Sequence, residues 1–132
     1  MAKYDRFEDL PVWQHAIVIG LKVYQLGEAE KFSRDFRAKD QLIGAAISIS
    51  NNIAEGFEYN RNRQFIKYLE IAKGSAGELR SQLFLLLKAK KIEETTYQIL
   101  YEDLIQLSSE IKGLIKYLKE FEDKKKGGSQ KP

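Results

Sequence analysis

The sequence contains no cysteine, which excludes disulfides, thiolate nucleophiles and cysteine metal sites together. That absence suits a reducing compartment, so a cytoplasmic location is expected. Proline occurs only at Pro11 and Pro132, leaving nearly the whole length without helix breakers. His15 is the single histidine. It has no cysteine partner and no carboxylate at an obvious helical spacing, and reads as an ordinary surface or interface residue rather than a metal ligand. No stretch approaches the roughly 20 apolar residues of a membrane span. The first ten residues are charged where a signal peptide is apolar, so neither export nor a membrane segment is expected.

What is present is a globular balance, 43% hydrophobic and 31% charged in 132 residues, about one domain. The formal charge is +3, but Lys124, Lys125, Lys126 and Lys131 all lie beyond residue 123 and leave residues 1–123 at −1. Average charge therefore gives little support to nucleic-acid binding, which favours a basic domain or face.

Four apolar stripes recur at 3- and 4-residue steps. Helix 1 starts near Asp9 with Pro11 in its first turn, carries Val12, Ala16, Ile19, Val23 and Leu26, and stops at Gly27. Ser33 reads as the N-cap of helix 2, whose stripe is Phe36, Leu42, Ile43, Ala46, Ile49, Ile53 and Phe57. Gly56 to Asn62 reads as the break. Helix 3, Arg61 to about Lys91, carries Phe65, Tyr68, Leu69, Ala72, Ala76, Leu79, Leu83 and Leu86. Its internal Gly74 and Gly77 each cost about 1 kcal/mol relative to alanine, a cost that close packing is expected to offset. Helix 4, Glu94 to Glu122, carries Tyr97, Leu100, Leu104, Leu107, Ile111, Leu114, Leu118 and Phe121. No strand pattern competes, and short loops make neighbouring helices antiparallel. The expected architecture is all-α, an antiparallel up-and-down four-helix bundle over residues 1–123 with a disordered basic tail at 124–132.

Two features exceed generic bundle design. Residues 61–91 hold eight Lys/Arg against Glu70 and Glu78, a net +6, while residues 93–123 hold three lysines against eight acids, a net −5. One reading is pairing of helices 3 and 4 within a subunit or across an interface. The other is a basic stripe for phosphate: Arg61, Arg63 and Lys67, then Lys73, with Tyr59 placed to stack on a base. The second feature is Asn51-Asn52 in mid-helix, a poor choice for propensity. One of the pair is expected to face inward and fix register or assembly, with Glu55 in the same network or paired to an arginine. Trp13 reads as a core or interface anchor.

No catalytic constellation is visible. Ser75 lacks a His/Asp arrangement, Gly74 and Gly77 lack the strand and Gly-Lys-Ser/Thr of a phosphate loop, and the Glu-x-x-His pattern of di-iron bundles is missing. No enzyme activity, metal or cofactor is expected.

The segments Phe7-Glu8-Asp9-Leu10-Pro11-Val12-Trp13-Gln14, Gln41-Leu42, Ser48-Ile49, Asn52-Ile53-Ala54-Glu55-Gly56 and Tyr68-Leu69-Glu70-Ile71-Ala72-Lys73-Gly74-Ser75 with Glu78-Leu79 closely resemble the four-helix-bundle family of 23S ribosomal RNA intervening-sequence proteins. The resemblance covers roughly residues 5–120. It implies a ring-like homo-oligomer, typically a pentamer. A related branch, the accessory proteins of diversity-generating retroelements, binds nucleic acid and partners a reverse transcriptase. RNA or DNA binding is thus implied by analogy, with a scaffold for a polymerase-type protein partner as the alternative. Two departures remove positive charge: Gly44 precedes Ala45 where the family has a basic residue, and Phe57-Glu58-Tyr59-Asn60 separates Gly56 from Arg61.

Overall fold

A computed structural model describes residues 3–29 and 32–129, the last three of these by their backbone alone. A 3-10 turn, Phe7–Asp9, precedes four helices: α1 (Pro11–Gly27), α2 (Phe36–Glu58), α3 (Asn62–Lys88) and α4 (Glu94–Ser129). The described residues form no strand, and the four helices pack as a helical bundle. No helix among them is long and apolar enough to cross a membrane.

The core follows the helical stripes. In α1, Val12, Ala16, Ile19, Val23 and Leu26 are all buried, as are Phe65, Leu69, Ala72, Ala76, Leu79, Leu83 and Leu86 in α3. Two aromatic residues assigned to stripes turn outward instead. Phe36 is 70% exposed and Phe121 is 48% exposed. Phe36 is the first residue of α2, and Phe121 lies in the last third of α4, the longest helix. Ile115, not Leu114, is the fully packed residue of its turn. In the α1–α2 connection, Phe32 is 0% exposed, a burial that stabilises the fold by about 2 kcal/mol.

Helix ends correct several expected boundaries. The N-cap of α2 is Asp35, not Ser33: its carboxylate accepts from the Ala38 amide at 3.3 Å, the N-cap to N3 spacing. Gly56 lies inside α2 rather than in a break, because the helix continues to Glu58. Asn60 makes the turn with φ 54, a left-handed conformation that asparagine tolerates. The expected end of α4 at Glu122 is passed. Its lysines 124–126 lie on the helix, which reaches Ser129, since Lys and Glu alternate there at i,i+4 spacings that favour helix. Residues 130–132 of the expected tail lie outside the described residues.

The glycines divide into two kinds. A Cβ on Gly56 would lie 2.6 Å from Tyr68 Cβ and 3.2 Å from the Phe65 ring, so α2 and α3 approach closely there. Around Gly20, Gly44, Gly74, Gly77 and Gly113, nothing lies within 4 Å of an added Cβ. Packing inside the chain therefore does not offset the cost of Gly74 and Gly77, contrary to the expectation.

The end of α3 falls at Lys88, earlier than expected, in a two-bond cap. Lys91 N–H donates to Leu86 O at 2.9 Å and Lys90 N–H donates to Leu87 O at 3.0 Å. The cap places Lys90 at φ 60, a position that favours glycine. Lys90→Gly should stabilise the protein by about 1 kcal/mol through relief of that strain. Urea unfolding measures it, with a midpoint that rises at unchanged slope.

Candidate nucleic-acid interface

The basic residues of α3 do not form one stripe. Arg61 sits in extended conformation just before the helix (φ −137, ψ 127). Its neighbours at the bundle end include Lys3, Asn60 and Asn62, around a cavity of about 420 Å³. Arg63 and Lys67 are exposed one turn apart on α3, and neither has an ion-pair partner among the described residues. Arg80 is half-buried, and its Nε is shielded from water without a hydrogen-bond partner.

Lys73 lies elsewhere. It meets Lys112 and Lys119 of α4 across a cleft of about 500 Å³ whose other lining residues are Glu70, Gly74 and Ile115. Lys119 reaches Glu70 at 3.3 Å, and both side chains are more than half exposed. Three ammonium groups against one carboxylate leave the cleft electropositive. Gly74 contributes no side chain to its floor. The two lysines from α4 escape sequence reasoning because they are a minority on a helix of net negative charge. Their phase along the helix, which sets them beside α3, is the signal that would find them.

The ion pair seen between α3 and α4 among the described residues does not follow the charge asymmetry of the two helices. The α3–α4 ion pair that forms, Lys119–Glu70, has its cation on α4 and its anion on α3, opposite to the net charges. Acids of α4 instead serve α1. Glu110 meets His15 Nδ1 at 2.6 Å and Asp103 meets Lys22 Nζ at 2.5 Å. Gln106 also donates to Glu110, at 3.3 Å.

Of the two asparagines, Asn51 is exposed and Asn52 is half-buried. Asn52 Nδ2 donates to Ser48 O at 2.7 Å and contacts Ser48 Oγ at 3.0 Å. Ser48 Oγ in turn contacts Ser75 Oγ at 2.9 Å, bridging α2 to α3. Ser75, unremarkable in sequence, thus completes a polar chain within an apolar contact. Glu55 is outside that network: it is exposed and makes no ion pair among the described residues. Trp13 is half-buried, its ring edge-on to Phe7 at 5.3 Å.

Tyr59 stacks on Tyr68 across the α2–α3 turn, with centroids 5.4 Å apart and planes 17° apart. Their hydroxyls lie 3.4 Å apart. That hydrogen bond first, then partial burial and the Glu55 carboxylate, pushes Tyr68 up to about 12. The fold disfavours the phenolate, so this contribution to stability is complete below about pH 10, the ordinary tyrosine value, and is lost as pH rises through 12. Ultraviolet titration should show one tyrosine ionising later than the rest. In Tyr59→Phe, that late ionisation should move back toward the ordinary value.

The family described as 23S rRNA-intervening sequence protein matches residues 8–113. Among solved structures, one from Bacteroides thetaiotaomicron VPI-5482 is similar: a protein of unknown function from the S23 ribosomal protein family. It superposes with a TM-score of 0.72 at 23% identity, over 80% of this chain and 98% of that one, which is a likeness of fold. No curated protein matches the chain.

Proposed function

We propose that this chain, which belongs to the 23S rRNA-intervening sequence protein family, is a non-enzymatic, self-associating four-helix bundle of the cytoplasm that binds structured RNA. The observation that carries the reading is the cleft in which Lys73, Lys112 and Lys119 converge around a single acid. Lysines in such a cleft act as point charges for phosphate, releasing counterions without reading sequence. Arg63 and Lys67, exposed on α3 and without an ion-pair partner among the described residues, add positive charge outside the cleft.

An antiparallel up-and-down course is supported by the order of contacts. His15 and Lys22 of α1 meet Glu110 and Asp103 of α4, with numbering rising on one helix and falling on the other. Ser48 and Tyr59 meet Ser75 and Tyr68 in the same reversed sense. Self-association is supported by exposed apolar side chains, Leu21 at 59% and Leu85 at 69% among them, and by helical glycines with open space around them. A pentamer is the assembly that the family resemblance implies.

The test is fluorescence anisotropy of a structured rRNA fragment titrated with the full chain from low to physiological salt. Binding should weaken steeply with salt. Lys73→Ala/Lys112→Ala/Lys119→Ala should weaken it at least tenfold and flatten the log–log salt slope by about 2–3. Absence of low-salt binding, or binding unchanged in the triple variant, would overturn the site and favour a scaffold that docks a protein partner.

A further inference from the structure

The cavity beside Arg61 is a different kind of place from the lysine cleft. It lies where the N-terminal segment, the α2–α3 turn and the C-terminal half of α4 meet, a hollow of about 420 Å³ open to solvent. That volume falls within the roughly 300–1,000 Å³ typical of small-molecule sites. Its walls are unusually aromatic, with Tyr4, Phe57, Phe65, Tyr117 and Phe121 among the lining residues. Phe57 and Phe65 hold each other edge-to-face at 5.9 Å, which fixes the ring geometry on one side. Tyr117 is 38% exposed and Phe121 is 48% exposed, so apolar ring surface on the α4 side is open to a ligand.

The charge at this cavity has one sign. Lys3 and Arg61 line it, no acid does, and neither cation has an ion-pair partner among the described residues. A smaller hollow of about 260 Å³ adjoins it, sharing Tyr4 and Tyr117, and carries Glu110. His15 engages that carboxylate at 2.6 Å. Tyr4, Leu10, Leu114 and Tyr117 line both hollows, so apolar surface continues from the Arg61 cavity to the smaller one. A ligand with a negative head is drawn to the Arg61 end, and its flat apolar body lies against the rings.

The geometry points to a binding site for a small planar aromatic anion, its ring packed among the phenylalanine and tyrosine walls and its carboxylate, sulfonate or phosphate held by Arg61 and Lys3. Arginine suits such a head because its planar fork matches two oxygens at once. This site shares no residue with the lysine cleft, so it stands or falls independently of RNA binding. Arg61 on this view is a ligand-binding residue rather than part of an RNA-facing stripe.

Titration of the full chain with anilinonaphthalene sulfonate, a fluorescent aromatic anion, tests the site. Fluorescence should saturate at one probe per chain. Arg61→Glu should weaken binding at least tenfold and Phe121→Ala at least threefold, while Ile99→Ala, an exposed apolar control on α4, should leave it unchanged. 1-Naphthoate should displace the probe at lower concentration than uncharged 1-naphthalenemethanol. Displacement by naphthoate alone identifies an aryl acid as the ligand type; displacement by adenosine monophosphate as well identifies a mononucleotide. Displacement by neither, several probes per chain, or full affinity in Arg61→Glu would overturn the proposal.

Discussion

Gly56 lets α2 and α3 approach closely, and the packing at that end of the bundle depends on the approach. With no side chain there, Tyr68 and Phe65 of α3 come against the α2 backbone. The approach lets Phe57 meet Phe65 and Tyr59 stack on Tyr68, so the turn between the helices is clamped by two ring pairs. Asn60 then reverses the chain in three residues, and Arg61 emerges at the mouth of the aromatic cavity. Further along the same contact, small side chains continue the close approach. Ala45 and Ala46 are buried, and Ser48 reaches Ser75.

The opposite seam is built differently. Helices α1 and α4 join through polar pairs at their edges, His15 with Glu110 and Lys22 with Asp103. Both pairs are partly buried, and each ties one turn of α1 to one turn of α4. They also draw acids of α4 toward α1. What remains on the α3 side of α4 near Lys73 is Lys112 and Lys119, and the cleft between α3 and α4 becomes basic although α4 as a whole is acidic. The local sign of charge follows from helix phase, not from helix average.

That distinction separates what was legible in the sequence from what was not. The number of helices, their apolar faces and the buried stripes of α1 and, Tyr68 apart, of α3 follow from periodicity alone. Phe36 and Phe121 read as core because periodicity marks a face of a helix, not what covers it. Ser33 and Asp35 are both competent caps, and only the position of the Ala38 amide decides between them. Partners of His15 and Lys22 lie 95 and 81 residues away, beyond any local pattern. Counting charges per helix assigned Arg61, Arg63, Lys67 and Lys73 to one stripe, whereas the structure divides them between a cavity mouth, an exposed turn and a cleft completed by α4.

Equilibrium urea unfolding of Gly56→Ala tests the α2–α3 constraint most directly, because its sign separates the possibilities. Alanine is the better helix former by about 1 kcal/mol, so an uncrowded glycine inside α2 would give a more stable protein on substitution. Close approach of Tyr68 and Phe65 predicts the reverse, a net loss of about 1–3 kcal/mol, since the added methyl forces the helices apart. A variant as stable as the parent, or more stable, would contradict the account.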